Sequence, residues 1–212
     1  MTRVWLIRHG EPAAHAHGRC YGSLDVGLSE SGRMQMALAG EAIRQEPIAA
    51  IYTSALIRAA ESARILAGVL ARGGPIEVVD DLREIDFGDF EGKSYDEIAR
   101  EHPALFRRWM MQPTEVRFPN GESFGVMRAR VLAAFERICR EREGQTVVIV
   151  SHGGVNRALL AWALEMPDGA LFRLAQDYAA CSLITVVEGI PAVERMNCRG
   201  SIGGAGSNRT PE

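Results

Sequence analysis

The chain is poor in cysteine and has no cysteine pattern. Its four cysteines, Cys20, Cys139, Cys181 and Cys198, never stand at a C-x-x-C spacing and are too few for a disulfide scaffold. They read as reduced thiols, which sets the expectation of a cytoplasmic protein. Apolar runs long enough to span a bilayer are missing, so no membrane helix is expected. The opening residues pass straight into a strand, without the basic segment, apolar stretch and cleavage site of a secretory leader. Positive charge is not in excess either. A formal net charge of −3 argues against a protein that wraps nucleic acid.

What the chain does have is one kind of junction twice. Val4-Trp5-Leu6-Ile7-Arg8-His9-Gly10 and Val147-Val148-Ile149-Val150-Ser151-His152-Gly153-Gly154 are both apolar, β-rich runs that end in histidine and glycine. In an open α/β sheet the carboxyl ends of parallel strands are where ligands bind. Two histidines delivered there, one with an arginine beside it, suggest a site for an anionic group.

With 212 residues and 47% apolar composition, the chain can bury one sizeable core. Strand and helix alternate almost throughout. Ser29 is read as the cap of a helix reaching about Gln45, followed by a strand at Ala50–Thr53. Ser54 is expected to cap a helix from Leu56 to about Leu70, and Ile76–Val79 reads as a further strand. From about 80 to 120 the strand pattern lapses. Two short helices are predicted there, one opened by the capping-box pattern Ser94-x-x-Glu97 and one by Pro103. A long helix follows from about Glu122 to Arg142, with Phe124, Met127, Val131, Phe135 and Ile138 on one face. The spacing then predicts a strand at Thr146–Val150 and a helix at Asn156–Leu164. Strands at Ser182–Glu188 and Ala192–Met196, parted by Gly189-Ile190-Pro191, complete the pattern. The expected architecture is α/β in three layers, a mostly parallel central sheet with helices on both faces, a helical lid insert and a late edge hairpin. One domain covers 1–198, and the Gly/Ser-rich stretch 199–212 is expected to be a flexible tail.

Several residues at the strand ends carry chemistry. Arg8 offers a planar fork of donors suited to phosphate or carboxylate, and Gly10 is read as clearing space for an incoming group. Arg58 lies in the first turns of a helix, among small alanines. Glu84 sits in a structured loop between Leu82 and Gly92, where neighbours such as Phe87 and Phe90 suit a carboxyl that moves a proton near neutrality. His15-x-His17 is a metal-like spacing without a third ligand, and no metal site is expected.

Together these segments resemble the histidine phosphatase superfamily, the phosphoglycerate mutase-like proteins, in its branch of small phosphatases. The resemblance runs from Arg3 to about Asn197. It is carried by Arg8-His9-Gly10, Ser54-Ala55-Leu56-Ile57-Arg58-Ala59, Leu82-Arg83-Glu84 with Gly88-Asp89-Phe90-Glu91-Gly92, Pro119-Asn120-Gly121-Glu122-Ser123 and Ser151-His152-Gly153-Gly154. One such triplet is weak; the whole series in order is specific. The resemblance implies a phosphomonoesterase without cofactor or metal. His9 would be the nucleophile, Glu84 the proton donor and acceptor, and Arg8, Arg58 and His152 would surround the phosphoryl oxygens. His15, Arg19, Tyr21, Gly22 and Gly153 are the expected substrate-binding residues.

The match departs from the family after the first histidine. Pro12 and His15 stand in place of the usual threonine and asparagine, and His15 is the candidate replacement donor to phosphate. Asn156 occupies a position that is usually aliphatic. The insert carries Tyr95, Phe106, Trp109, Met110, Met111 and Phe118, which favour a small-molecule monoester with a ring-bearing body. Gly18-Arg19-Cys20-Tyr21-Gly22-Ser23-Leu24-Asp25 and Asp86-Phe87-Gly88 resemble the α-ribazole phosphatases of cobalamin assembly, making α-ribazole 5'-phosphate the leading specific substrate. The alternatives are a phosphoglycerate mutase and a catalytically inactive binding module. Neither nucleic acid nor membrane is an expected partner, and a homodimer is compatible with the resemblance.

Overall fold

The computed structural model describes residues 1–16, 18–71 and 73–200. His17 and residues 201–212, most of the expected tail, lie outside them. Strands β1 (Thr2–Arg8), β2 (Ile48–Thr53), β3 (Ile76–Val78), β4 (Thr146–Ser151), β5 (Cys181–Val187) and β6 (Ile190–Cys198) form one sheet in the order β3-β2-β4-β1-β5-β6. The neighbours from β3 to β1 are parallel, and β5 and β6 join antiparallel.

The central strands are apolar on both faces because both faces are covered. Alternate residues part to opposite sides. Val4, Leu6, Val147 and Ile149 enter one core, beneath α5 (Phe124–Glu141) and α6 (Gly153–Ala163). Trp5, Ile7, Val148 and Val150 enter the other, beneath α1 (Glu30–Ala42) and α2 (Ile57–Val69). The result is the three-layer α/β arrangement. Every residue of β4 is buried, and each apolar side chain so buried contributes about 1.5–3 kcal/mol.

Local chemistry explains most boundaries. The Ser29 hydroxyl accepts from the Gly32 amide and caps α1. In the insert, α3 (Tyr95–Glu101) opens with the complete Ser94–Glu97 capping box, and α4 (Pro103–Met111) has proline in its first turn. Three expectations are corrected. Ser54 does not cap α2; Leu56 holds the cap position, and the Ile57 amide donates to Asp25 Oδ1 at 2.6 Å. Helix α6 begins at Gly153 rather than Asn156, because His152 takes the cap position and tertiary contacts override the low helix propensity of two glycines. The late hairpin turns on Glu188-Gly189, both at positive φ, so Pro191 belongs to β6, opposite Val186. A proline is tolerated there because β6 is the sheet edge. No helix among the described residues is long and apolar enough to cross a membrane.

Candidate active site

The parallel register of β1 and β4 sets Arg8 opposite Ser151, so His9 and His152 leave the sheet in step. The His9 amide donates to the Ser151 carbonyl at 2.9 Å. The two imidazoles stand 5.3 Å apart, centroid to centroid, and both are buried. Thr53 and Ser54 close the neighbouring β2, and Ser54 Oγ lies 2.8 Å from His152 Nε2.

His9 Nδ1 is 2.7 Å from the Gly10 carbonyl, which can only accept, so Nδ1 carries the proton and Nε2 keeps its lone pair. Burial lowers the His9 pKa well below the ordinary histidine value, and the charges of Arg8 and Arg58 lower it further. The imidazole is therefore neutral near neutrality. His152 is shifted in the same direction, first by burial and then by Arg58, His9 and Arg8. With both imidazoles neutral, the positive charge around His9 comes from the arginines.

Arg8 reaches the Gln176 carbonyl at 2.5 Å and the Tyr21 hydroxyl at 3.4 Å, with its guanidinium 4.0 Å from the centre of the Tyr178 ring. Arg58 is wholly buried and donates to the carbonyls of Tyr21, Gly22 and Leu24 at 2.7–2.9 Å. Arg8 Nε, Arg58 Nε and His152 Nδ1 are buried without a hydrogen-bond partner. Buried donors of this kind call for an acceptor, and around His9 an anion would provide one.

Glu84 faces the same space. Its Oε1 accepts from the Ile85 amide at 3.0 Å and its Oε2 from the Gly154 amide at 2.9 Å. The second donor is a free amide at the N-terminus of α6, where an anion is favoured. A cavity of about 150 Å³ opens between these groups. Arg8, His9 and Glu84 stand on one side and the insert residues Phe87, Tyr95, Trp109 and Phe118 on the other.

Of the expected catalytic residues, Arg8, His9 and Glu84 line the cavity, whereas Arg58 and His152 stand behind its surface. Arg19, Tyr21 and Gly153 also line it. Gly22 does not; it contributes a carbonyl to Arg58, and a Cβ there would meet the Ile85 carbonyl oxygen at 1.7 Å. His15 is exposed in a single 3-10 turn away from the cavity lining. Gly10 also has a different role from the expected one. Its missing Cβ leaves room for the Gly32 carbonyl, 2.3 Å from where that atom would be, so it serves the packing of α1. Asn156 points into the protein, accepting from Ser151 Oγ at 2.6 Å. Phe106, Met110 and Met111 are not lining residues either; Phe106 packs on Trp109, and both methionines are exposed.

Arg157 was not anticipated. It lines the cavity, donates from Nε to the Leu174 carbonyl at 2.9 Å, and has its pKa lowered by burial and by Arg8. Its position one turn beyond Gly153 was the available signal, since residues four apart share a helix face. Among the described residues no group of three or more His, Cys, Asp or Glu is placed to hold a metal ion.

The profile of the histidine phosphatase superfamily (branch 1) matches residues 4–199. The bifunctional protein Rv2228c of Mycobacterium tuberculosis is 39% identical over 201 residues, covering 94% of this chain and 54% of that protein. The chain thus spans about half the length of the first curated relatives it matches. Phosphoserine phosphatase 1 of Hydrogenobacter thermophilus is 32% identical, covering 93% of this chain and 92% of that one. The adenosylcobalamin/alpha-ribazole phosphatase of Salmonella typhimurium is 29% identical over 93% and 96%. Among solved structures, Bacillus stearothermophilus YhfR superposes with a TM-score of 0.87 at 35% identity, covering 93% of this chain and 98% of that one.

Proposed function

The chain belongs to the histidine phosphatase superfamily (branch 1), and on that footing we propose that it hydrolyses a phosphate monoester through a phosphohistidine at His9. One observation carries this reading: the neutral His9 imidazole is held by the Gly10 carbonyl with Nε2 unprotonated, between two arginines. Such a nitrogen is a nucleophile near pH 7 without a separate base.

In the first step Nε2 attacks phosphorus and the bond to the leaving oxygen breaks. Glu84 is the group placed to give a proton to that oxygen. In the second step a water attacks the phosphohistidine, Glu84 takes the proton, and His9 leaves as the neutral imidazole with inorganic phosphate. Arg8 and Arg58 offset the charge on the equatorial oxygens, which is where most catalysis of phosphoryl transfer originates. When Ser54 donates to His152 Nε2, Nδ1–H of His152 is left as one more donor.

For the substrate, the aromatic wall of Phe87, Tyr95, Trp109 and Phe118 supports a monoester with a ring-bearing body. α-Ribazole 5'-phosphate is the leading candidate, and one relative carries that substrate in its name. A second reading rests on Arg157, which forms no ion pair among the described residues and favours a carboxylate-bearing monoester such as phosphoserine. The four free thiols fit the proposed cytoplasmic setting.

The test is phosphate release from α-ribazole 5'-phosphate, phosphoserine, phenyl phosphate and 3-phosphoglycerate in EDTA, with His9→Ala as control. Turnover that survives chelation and disappears in His9→Ala supports the reading. Isomerisation of 3-phosphoglycerate with its bisphosphate activator, faster than any hydrolysis, makes the protein a mutase. Silence across a broad panel, together with capture of a protein partner, makes it a binding module.

A further inference from the structure

The Pro119-Asn120-Gly121-Glu122-Ser123 motif has no part in the chemistry described above, although its side chains converge on the proton carrier's loop. Arg130, from the second turn of α5, forms a bidentate pair with Glu122, Nε to Oε1 at 2.9 Å and Nη2 to Oε2 at 2.7 Å. The same guanidinium donates to three backbone carbonyls of the neighbouring loop: Asp81 and Arg83 at 2.7 Å, and Glu84 itself at 3.1 Å. Glu122 completes the strap. Its amide donates to the Asp86 carbonyl at 2.9 Å, and its Oε2 accepts from the Asp86 amide at 3.2 Å.

The two loops also interlock through backbone. The Asp89 amide donates to the Pro119 carbonyl at 2.9 Å. A Cβ on Gly88 would lie 2.1 Å from the Pro119 carbonyl oxygen, and one on Gly121 would lie 2.5 Å from that of Asp86. Only glycine permits that approach. Both members of the pair are largely shielded, at 12% and 15% side-chain exposure, so the contact is more than a solvated surface bridge. Burial pushes the Glu122 carboxyl up, but its bonds to Arg130 and Asp86 leave it below the ordinary carboxylate range, which keeps the strap charged.

We propose that Arg130 and Glu122 are positioning residues that hold the Glu84 loop in register with His9, so that the Glu84 carboxyl meets the leaving oxygen. The inference rests on the reading of Glu84 as proton carrier. Neither residue lines the cavity, so both act through Glu84.

Leaving-group dependence provides the test. An alkyl phosphate needs a proton on its departing oxygen; 2,4-dinitrophenyl phosphate releases 2,4-dinitrophenolate, which departs without one. In the full chain, kcat/KM, which reports the step that breaks the ester bond, is measured on both esters for wild type, Glu84→Gln, Arg130→Met and Glu122→Gln. The ratio of the two rates is taken within each sample, so it does not depend on the fraction folded. Glu84→Gln should lower the alkyl rate about 10²–10⁴-fold more than the dinitrophenyl rate. Arg130→Met should reproduce roughly 10–100-fold of that split with little change in KM, and Glu122→Gln a smaller part of it. Equal losses on both esters in Arg130→Met, where Glu84→Gln still separates them, would overturn the positioning role. If Glu84→Gln also fails to separate the esters, the role of Glu84 fails, and this inference falls with it.

Discussion

Ser54 Oγ and His152 Nε2 lie 2.8 Å apart although 98 residues separate them, which makes a serine read as a helix cap into the hydroxyl that orients a buried imidazole. The bond joins the end of β2 to the end of β4, and it is the partner found for His152, whose Nδ1 has none. Ser54→Ala would leave both ring nitrogens unsatisfied. An unmade buried hydrogen bond costs about 1–3 kcal/mol, so kcat/KM should fall roughly tenfold or more. Steady-state kinetics on an aryl phosphate provides the check, and an unchanged kcat/KM would show that Ser54 does not orient His152.

Gly154→Ala should separate stability from activity. A Cβ there would come within 2.4 Å of Glu84 Oε1, and the flexible carboxylate can yield by swinging away. Alanine in a helix is favoured over glycine by up to about 1 kcal/mol, so Tm should hold or rise. Displacing Glu84 by an ångström should cost about 10²-fold in kcat on an alkyl phosphate. Preserved activity together with a lowered Tm would reverse both signs and refute this account.

Acid should act on stability before it acts on the nucleophile. His9 and His152 have folded pKa values well below the ordinary 6.5, so the unfolded chain binds more protons in that interval. Stability is then fully present above pH 6.5 and is lost as pH falls from 6.5 toward the depressed folded values. Tm should drop across that window, and His152→Gln should shrink the drop. Because His9 stays neutral through the same window, kcat/KM should show no loss with an apparent pKa near 6.5 attributable to the nucleophile. A slope of Tm against pH that is unaffected by removing His152 would contradict the assignment.

Arg157→Met probes the body of the substrate. If Arg157 receives a carboxylate, KM for phosphoserine should rise about tenfold, the value of one charge-assisted hydrogen bond. Phenyl phosphate and α-ribazole 5'-phosphate should be little affected. A uniform rise in KM would instead place Arg157 on the phosphoryl group common to all three.

Much of this arrangement was legible along the chain because it is local. The unbroken apolar runs of β1 and β4 follow from burial on both faces; Ser29 and Ser94 mark helix starts through bonds made within a few residues, and Pro103 through its fixed φ. His9, Arg8 and Glu84 stood out because strand ends and structured loops are where side chains escape the core. The misread positions share another property. Gly10 looked like a place for a ligand and proved to be a place for Gly32, and Ser54 bonded across the sheet instead of to its own helix. Gly10 and Ser54 depend on partners distant in sequence, which periodicity cannot reveal.

The sequence by itself determined the alternating α/β plan, the two histidine-bearing strand ends and the residue types able to move a phosphoryl group, since each follows from short-range sterics, hydrogen bonding and hydrophobic period. Only the tertiary structure decided which nitrogen of His9 is free, that burial beside two arginines keeps both imidazoles neutral, and that Arg157 shares the cavity while Arg130 straps the Glu84 loop. Those properties depend on distance and dielectric, which exist once the chain has folded and desolvated the groups together.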